Sequence, residues 1–375
     1  MDPSVYEKIF AAFAFVLGAG IGSFLNVCIY RLPLGLSVNE PKRSFCPHCK
    51  HQIPWSQNIP ILAWLLLRGK CANCRAPISF RYFGVELLTA LLFLAVWLKC
   101  WNPGQYWPSG HWELALPLWI LLGLMIAATF IDFEHFIIPN EITWGGVGAG
   151  LLLSLAFPAM MDTDSHLMGL LWSAAAAAAG YATLWLVVEL GKKAFGKKRI
   201  DLEKPESFTW TRHGDDADLT AGGDTLKWSD LFSRPSDVLL MHVTEARVGE
   251  KTCGETTLTF YYNRLLADSD EYELDKLDVI SGTVTALVIP REAMGFGDVK
   301  FIAAIGAFLG LRAVFFTIMT GSVIGAVVGV AMIAIGRREW SARIPFGPYL
   351  ALAAVIWIFF GPALLDSYWN WVQQG

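Results

Sequence analysis

Charge is what this chain has least of. Lys, Arg, Asp and Glu make up 17% of its 375 residues, against 54% that are hydrophobic. The mean hydropathy is positive. That excludes an ordinary soluble enzyme and fits a chain that crosses a membrane several times. No basic block is present that would serve nucleic acid, and the net charge of −4 says little, because sign matters here by location. The marks of a cleaved signal peptide are missing too. Asp2 and Glu7 accompany a single Lys8, the apolar run that follows is too long, and no small-residue cleavage site ends it. Charged residues are absent deep inside most apolar runs, which argues against a transporter. A Gly-rich nucleotide-binding loop of the familiar soluble kind is also lacking.

What is present is a series of apolar runs at about 9–30, 84–101, 114–131, 141–158, 167–190, 298–312, 314–336 and 346–365. They predict a polytopic α-helical membrane protein with about eight spans. The Lys/Arg distribution orients it. The loop after the first run carries Arg31, Lys42, Arg43, Lys50, Arg68, Lys70, Arg75 and Arg81, and the loop before the last run carries Arg337, Arg338 and Arg343. The alternate loops hold only Lys99 and Arg312. The positive-inside rule places the basic loops in the cytoplasm and both termini outside. The basic start of the segment after run five (Lys192, Lys193, Lys197, Lys198, Arg199) falls inside as well.

Run one contains Gly18, Gly20, Gly22 and Ser23, which suit close helix packing, and ends in Tyr30-Arg31-Leu32-Pro33. Next come Cys46-Pro47-His48-Cys49 and Cys71-Ala72-Asn73-Cys74, which is C-x2-C, twenty-one residues, C-x2-C. Four thiolates at that spacing suit a closed structural Zn²⁺ site, and a cytoplasmic setting disfavours disulfides. Cys28, Cys100 and Cys253 are packing residues. The apolar stretch from Asn58 to Leu67 either lies on the membrane or packs under the zinc knuckle. Glu86, at the start of run two, either reaches the interface or faces a site.

Two carboxylates stand apart. Gly295-Phe296-Gly297-Asp298-Val299-Lys300 puts Asp298 at the mouth of an apolar helix, behind two glycines that permit positive φ and close backbone approach. Asp298 either caps that helix or performs chemistry. Asp132 ends run three on the same membrane face, with Glu134 and His135 in the loop that follows and Pro139 starting run four. Two carboxylates held together share a proton, so one takes a proton from water while the other gives one to the substrate. That is peptide hydrolysis without a covalent intermediate.

From about 191 to 292 the composition turns polar, with Pro205, Pro235, Gly222-Gly223 and the cluster Asp215, Asp216 and Asp218. Alternating stretches at 258–262 and 283–289 predict strands, hence a small soluble β-rich insert. Ile344-Pro345-Phe346-Gly347-Pro348-Tyr349 reads as a rigid turn into the last span.

Taken together, these stretches resemble the bacterial type IV prepilin peptidases, leader peptidases and N-methyltransferases of type IV pilus and type II secretion systems. The resemblance rests on Gly22-Ser23-Phe24-Leu25-Asn26-Val27 through Pro33, the two Cys pairs, Asn58-Ile59-Pro60, Arg81-Tyr82 with Val85-Glu86-Leu87, Ile131-Asp132 with Ile138-Pro139, and the Gly295–Lys300 stretch. It implies an aspartic protease of the Gly-x-Gly-Asp type with Asp132 and Asp298 as its pair, supported by Gly295, Gly297 and Lys300. It further implies zinc on Cys46, Cys49, Cys71 and Cys74, and cleavage of a short basic leader after a glycine on the cytoplasmic face of the bacterial inner membrane. S-adenosylmethionine would be the methyl donor for the new N-terminus. The substrates would be type IV prepilins and type II secretion pseudopilins, with membrane lipid around the protein and no nucleic acid partner. Where the family often carries an acidic residue this chain has Asn140, and the insert is far longer than usual. The implied organisation is a first membrane helix (1–30), a cytoplasmic four-cysteine zinc segment (31–83), helices two to five (84–190), the insert (191–292), and the Gly-x-Gly-Asp stretch with helices six to eight (293–375). A protease alone with structural zinc, or a non-enzymatic transporter or assembly scaffold, is the competing reading.

Overall fold

The structure is a computed structural model. It describes residues 3–41, 44–46, 48–101, 110–195, 197–214, 216–221, 223–232, 238–267, 270–290, 294–335 and 345–374. Lys42, Arg43, Pro47, Asp215, Gly222, Pro235, Arg337, Arg338, Arg343 and Ile344 lie outside the described residues. The chain forms two compact units, Met1–Trp185 with Gly295–Gly375, and Leu186–Met294.

The first unit is a bundle of α-helices: α1 (Pro3–Arg31), the short α2 (Leu62–Leu66), α3 (Phe80–Trp101), α4 (Ala115–His135), α5 (Asn140–Ala156), α6 (His166–Phe195), whose last part lies in the other unit, α8 (Phe296–Ala334) and α9 (Gly347–Gln374). Among the described residues, six stretches are long and apolar enough to cross a membrane: Val5–Leu34, Phe80–Trp101, Trp112–His135, His166–Lys193, Phe296–Ala334 and Gly347–Gln373. The chain is a multi-pass membrane protein. Three runs depart from the expected eight spans. The fourth forms α5, which has 17 residues. At 1.5 Å per residue it extends about 26 Å, short of the roughly 30 Å hydrocarbon layer. The sixth and seventh runs form one assigned helix, α8, interrupted at Gly310 (φ 81, ψ 177). Only glycine adopts that backbone region without strain. The chain doubles back there. In a straight helix, residues eight apart stand about 12 Å from each other. Here a Cβ on Gly306 would lie 2.8 Å from the Val314 side chain. So α8 is two arms, 296–309 and 311–334.

The small residues of run one do not contribute equally. A Cβ on Gly18 would lie 2.8 Å from the Ala90 Cα, and one on Gly22 would lie 2.7 Å from the Glu86 Cα, whereas Gly20 faces open space. The α1–α3 contact therefore uses the four-residue spacing that lets two membrane helices touch backbone to backbone.

Among the described residues the second unit carries nine strands: β1 (Lys197–His213), β2 (Asp216–Ala221), β3 (Asp224–Lys227), β4 (Leu239–Val248), β5 (Lys251–Cys253), β6 (Thr256–Phe260), β7 (Arg264–Ala267), β8 (Asp270–Glu273) and β9 (Val279–Pro290). They form one antiparallel sheet in the order β3-β2-β1-β9-β4-β6-β7-β8, with β5 beside β4. The insert is β-rich, as its alternation predicts. Its core is Phe208, Trp210, Leu219, Leu258, Phe260 and Leu265, closed by Trp228 of the short helix α7 (Trp228–Leu231), which meets the rings of Trp210 and Phe260. Pro205 falls inside β1. It sits where the register with β9 shifts between Asp201 and Glu206, because a proline cannot donate to the ladder and is tolerated at such an irregularity.

Candidate active site

The two singled-out aspartates meet where three helix ends converge. Asp132 lies three residues before the end of α4. That helix closes when Phe136 turns left-handed (φ 55) and its N–H reaches the Asp132 carbonyl at 3.0 Å. Glu134 and His135, expected in a loop, therefore still belong to α4. The α4 end is apolar up to Ile131, so the ladder continues until the left-handed residue breaks it. The chain then runs extended to Pro139, whose fixed φ starts α5 at Asn140. Asp298 lies in the first turn of α8, and α9 begins at Gly347.

The first N–H groups of a helix have no partner within it. For α9 one of them is satisfied from elsewhere in the chain: Gly347 N–H donates to Asp132 Oδ2 at 3.0 Å. A Cβ on Gly347 would lie 2.8 Å from that same oxygen, so only glycine lets the carboxylate sit there. The sequence marked Gly347 merely as part of a turn. The glycine between two prolines was the available signal, but a backbone donor has no side chain to announce it.

Asp298 does not cap its own helix. Gly295 occupies the cap position without a side-chain bond, and Asp298 Oδ1 is buried with no hydrogen-bond partner among the described residues. Asp298 and Asp132 are 7% and 5% exposed, and they are close enough for their charges to interact. A buried polar atom without a partner is uncommon and calls for an explanation. A second carboxyl, Asp132, lies within reach of its charge. The helix N-termini of α8 and α9 place partial positive charge beside the pair. Gly295 and Gly297 support the site differently from expectation. Gly295 is not at positive φ (−64°). Gly297 matters for close approach, since a Cβ there would lie 3.2 Å from the Ile138 Cβ. Lys300 Nζ donates to Asn140 Oδ1 at 2.7 Å and sits 5.3 Å from the Phe296 ring centre, tying the start of α8 to the start of α5.

The cysteine segment forms two matching knuckles. In the first, Cys46 N–H donates to His51 O (3.0 Å), Lys50 N–H to Cys46 O (2.8 Å), and Lys50 is left-handed (φ 57). In the second, Cys71 N–H donates to Ala76 O (2.8 Å), Arg75 N–H to Cys71 O (3.0 Å), and Arg75 is left-handed (φ 61). The four sulfur atoms lie within 4.8 Å of one another, with Cys46 and Cys74 at 3.8 Å. With Zn–S bonds of about 2.3 Å, a tetrahedral edge is about 3.8 Å, so the donor set fits a closed metal site. It is too open for a disulfide. The Asn73 side-chain amide donates to Cys49 Sγ at 3.6 Å and holds that thiol low, at about 6, which favours a thiolate ligand.

Glu86 faces inward, not to the interface. It is buried and accepts the Ile61 N–H at 2.7 Å. Ile61 adopts φ 65, ψ −56, with Leu62 N–H reaching back to Pro60 O at 2.6 Å, a tight turn that a β-branched residue resists. The buried carboxylate thereby fastens the segment between the knuckles to α3. Trp64 of α2 packs against Phe80 and Phe83, while Leu62, Leu65 and Leu66 stay exposed. Arg81 pairs with Glu134, joining α3 to α4 two residues from Asp132.

Known proteins are similar to this chain along most of its length. Residues 16–100 match the family described as Bacterial Peptidase A24 N-terminal domain, and residues 119–200 and 270–330 match the Type IV leader peptidase family. A prepilin leader peptidase/N-methyltransferase of Myxococcus xanthus is 41% identical over 200 residues, spanning 53% of this chain and 54% of that protein. One from Aeromonas hydrophila is 29% identical over 96% of this chain and 94% of its own length. A type 4 prepilin-like proteins leader peptide-processing enzyme of Escherichia coli is 36% identical over 51% of this chain and 73% of its own length. No solved structure matches.

Proposed function

Since this chain belongs to the type IV leader peptidase family, we propose that it is a bifunctional membrane enzyme. It cleaves the leader of type IV prepilins and related pseudopilins after a glycine, and it methylates the new N-terminus with S-adenosylmethionine as donor. The observation that carries this reading is the meeting of Asp132 and Asp298 at three helix ends, with one carboxylate held by a backbone donor and the other left without one.

The chemistry follows from that asymmetry. The Gly347 N–H favours the charged form of the carboxylate it touches. Asp132 accordingly takes a proton from a water molecule, which attacks the scissile carbonyl. Asp298, with no donor on Oδ1, holds the shared proton and delivers it as the tetrahedral intermediate collapses, so that the new amine leaves. Water is consumed, the peptide bond breaks, and the proton that Asp132 took passes across the pair to Asp298, which returns both carboxyls to their starting states. Burial excludes bulk water from the pair. Gly297 and Gly347 let backbone approach where side chains would intrude. Cys46, Cys49, Cys71 and Cys74, whose sulfurs converge, would hold Zn²⁺. With four thiolates as ligands it would serve as a structural staple for a segment with little core of its own. S-adenosylmethionine supplies the methyl group.

The basic loop that contains Lys50, Arg68, Lys70, Arg75 and Arg81 supports a cytoplasmic site in the bacterial inner membrane, the bundle being surrounded by membrane lipid. With α5 and each arm of α8 counted as a pass, the bundle has eight, with both termini outside. The test is to incubate the purified protein with a prepilin that keeps its leader, with and without S-adenosylmethionine, and to weigh the products. Leader loss in both reactions, with one added methyl only when the donor is present, is expected. Leader loss without methylation would leave a protease alone. No cleavage of any prepilin by folded protein would overturn the reading.

A further inference from the structure

The far end of the aspartate-bearing arm opens into a cavity that the peptidase chemistry does not use. It has a volume of about 820 Å³ and is bounded by Leu309, Gly310, Leu311 and Arg312 at the reversal of α8, by Met160–Asp162 after α5, and by α6 and α9. Its position has a physical cause. The arm 296–309 extends about 21 Å and α5 about 26 Å, whereas the hydrocarbon layer is roughly 30 Å thick. Two of the elements that bound the cavity are thus shorter than the bilayer, whereas α6 and α9 beside them are not. Such mismatch is relieved by thinning of the bilayer or by drawing lipid polar groups inward.

The lining supplies both ends of a zwitterion and an apolar body. Arg312 borders the cavity and makes no hydrogen bond or ion pair among the described residues. Asp162 and Asp366 border it as well, with Asp162 close enough to feel the Arg312 charge. Trp172 and Trp369, both exposed, provide flat amphipathic surfaces of the kind that sit at membrane interfaces, and the buried Trp357 forms part of the apolar wall. An anionic lipid would meet the arginine but also two carboxylates. A lipid with a phosphate and a primary ammonium satisfies both signs, the phosphate on Arg312 through charge-assisted bonds and the ammonium on the aspartates.

We propose that this cavity binds a zwitterionic aminophospholipid of the phosphatidylethanolamine type, headgroup between Arg312 and the Asp162/Asp366 pair and acyl chain along the tryptophans. The bound lipid fills the space beneath the short arm and braces the turn at Gly310. The site is separate from the peptidase pair and stands whether or not that reading holds.

Native mass spectrometry of the full chain released from detergent tests this directly. Phosphatidylethanolamine and phosphatidylglycerol of identical acyl chains are offered in equal amounts. Retention of one phosphatidylethanolamine in preference to phosphatidylglycerol is expected. Arg312→Ala should lower that retention about tenfold, as loss of a charge-assisted hydrogen bond does. The double variant Asp162→Asn with Asp366→Asn should retain both lipids equally, which probes the site from the other charge if Arg312→Ala does not fold. Equal retention of the two lipids by the wild type, no retained lipid, or a preference unchanged in the double variant would each overturn the proposal.

Discussion

At the scale of single residues, the site depends on a contact no side-chain motif records. Asp132 was legible because a lone carboxylate at the end of an apolar run is costly, and Asp298 because it follows two glycines at a helix mouth. The Gly347 N–H that holds Asp132 was not, since a backbone donor looks the same in every residue. This makes Gly347 a sharper probe than another aspartate. Gly347→Ala places a methyl 2.8 Å from Asp132 Oδ2, and the carboxylate must move. A misplacement of this size costs about 100-fold in rate. Prepilin cleavage should fall by that order while the unfolding temperature in detergent stays near wild type. Unchanged cleavage would mean that the N–H is not part of the mechanism. Asn140, where a carboxylate was expected from the resemblance, has a use of its own as the acceptor for Lys300.

At the scale of elements, the apolar runs gave the helices their places. The break inside α8 lies within a few residues of the expected boundary between runs six and seven, but Gly310 was not singled out as its hinge, because Leu309-Gly310-Leu311 is as apolar as its surroundings and one glycine in a membrane run more often packs than turns. The positive φ at Gly310 is what divides the aspartate-bearing arm from the arm that returns. Gly310→Ala should destabilise the bundle by about 1–3 kcal/mol, the usual cost of forcing a side chain into such a region, read as a lower thermal midpoint. The cysteine knuckles were the opposite case: their spacing alone announced four converging thiolates, and the sulfurs do converge. If they hold structural zinc, the purified protein carries one zinc per chain. Chelation or Cys71→Ser should then release it and speed amide exchange over residues 44–78, leaving the helical circular dichroism of the bundle nearly intact. Exchange unchanged after metal loss would show that the segment folds without it.

At the scale of the whole molecule, the chain combines an apolar bundle with a β-rich unit inserted between its fifth and sixth apolar runs. Composition marked the insert, and alternation named two of its strands. The remaining strands are short and polar, and their pairing is fixed by long-range register that no local pattern encodes. One titration reports on the insert by itself. Asp216 accepts N–H bonds from Ala217 and Ser229 and the Ser229 hydroxyl, which hold its carboxyl below the usual range. A lowered folded value contributes stability that is present above the ordinary value of 3.8 and is lost as pH falls through the folded one. Amide exchange in β2 and α7 should accordingly quicken below about pH 4, and Asp216→Asn should flatten that dependence. The central claim concerns the bundle, and the most direct measurement is cleavage of a leader-bearing prepilin by purified wild type, Asp132→Asn and Asp298→Asn, with products weighed by mass spectrometry. A pair that shares one proton predicts that each single substitution lowers the rate by at least about 100-fold, because neither carboxyl alone can both take and give a proton. Cleavage at the wild-type rate by either variant would contradict the two-aspartate mechanism.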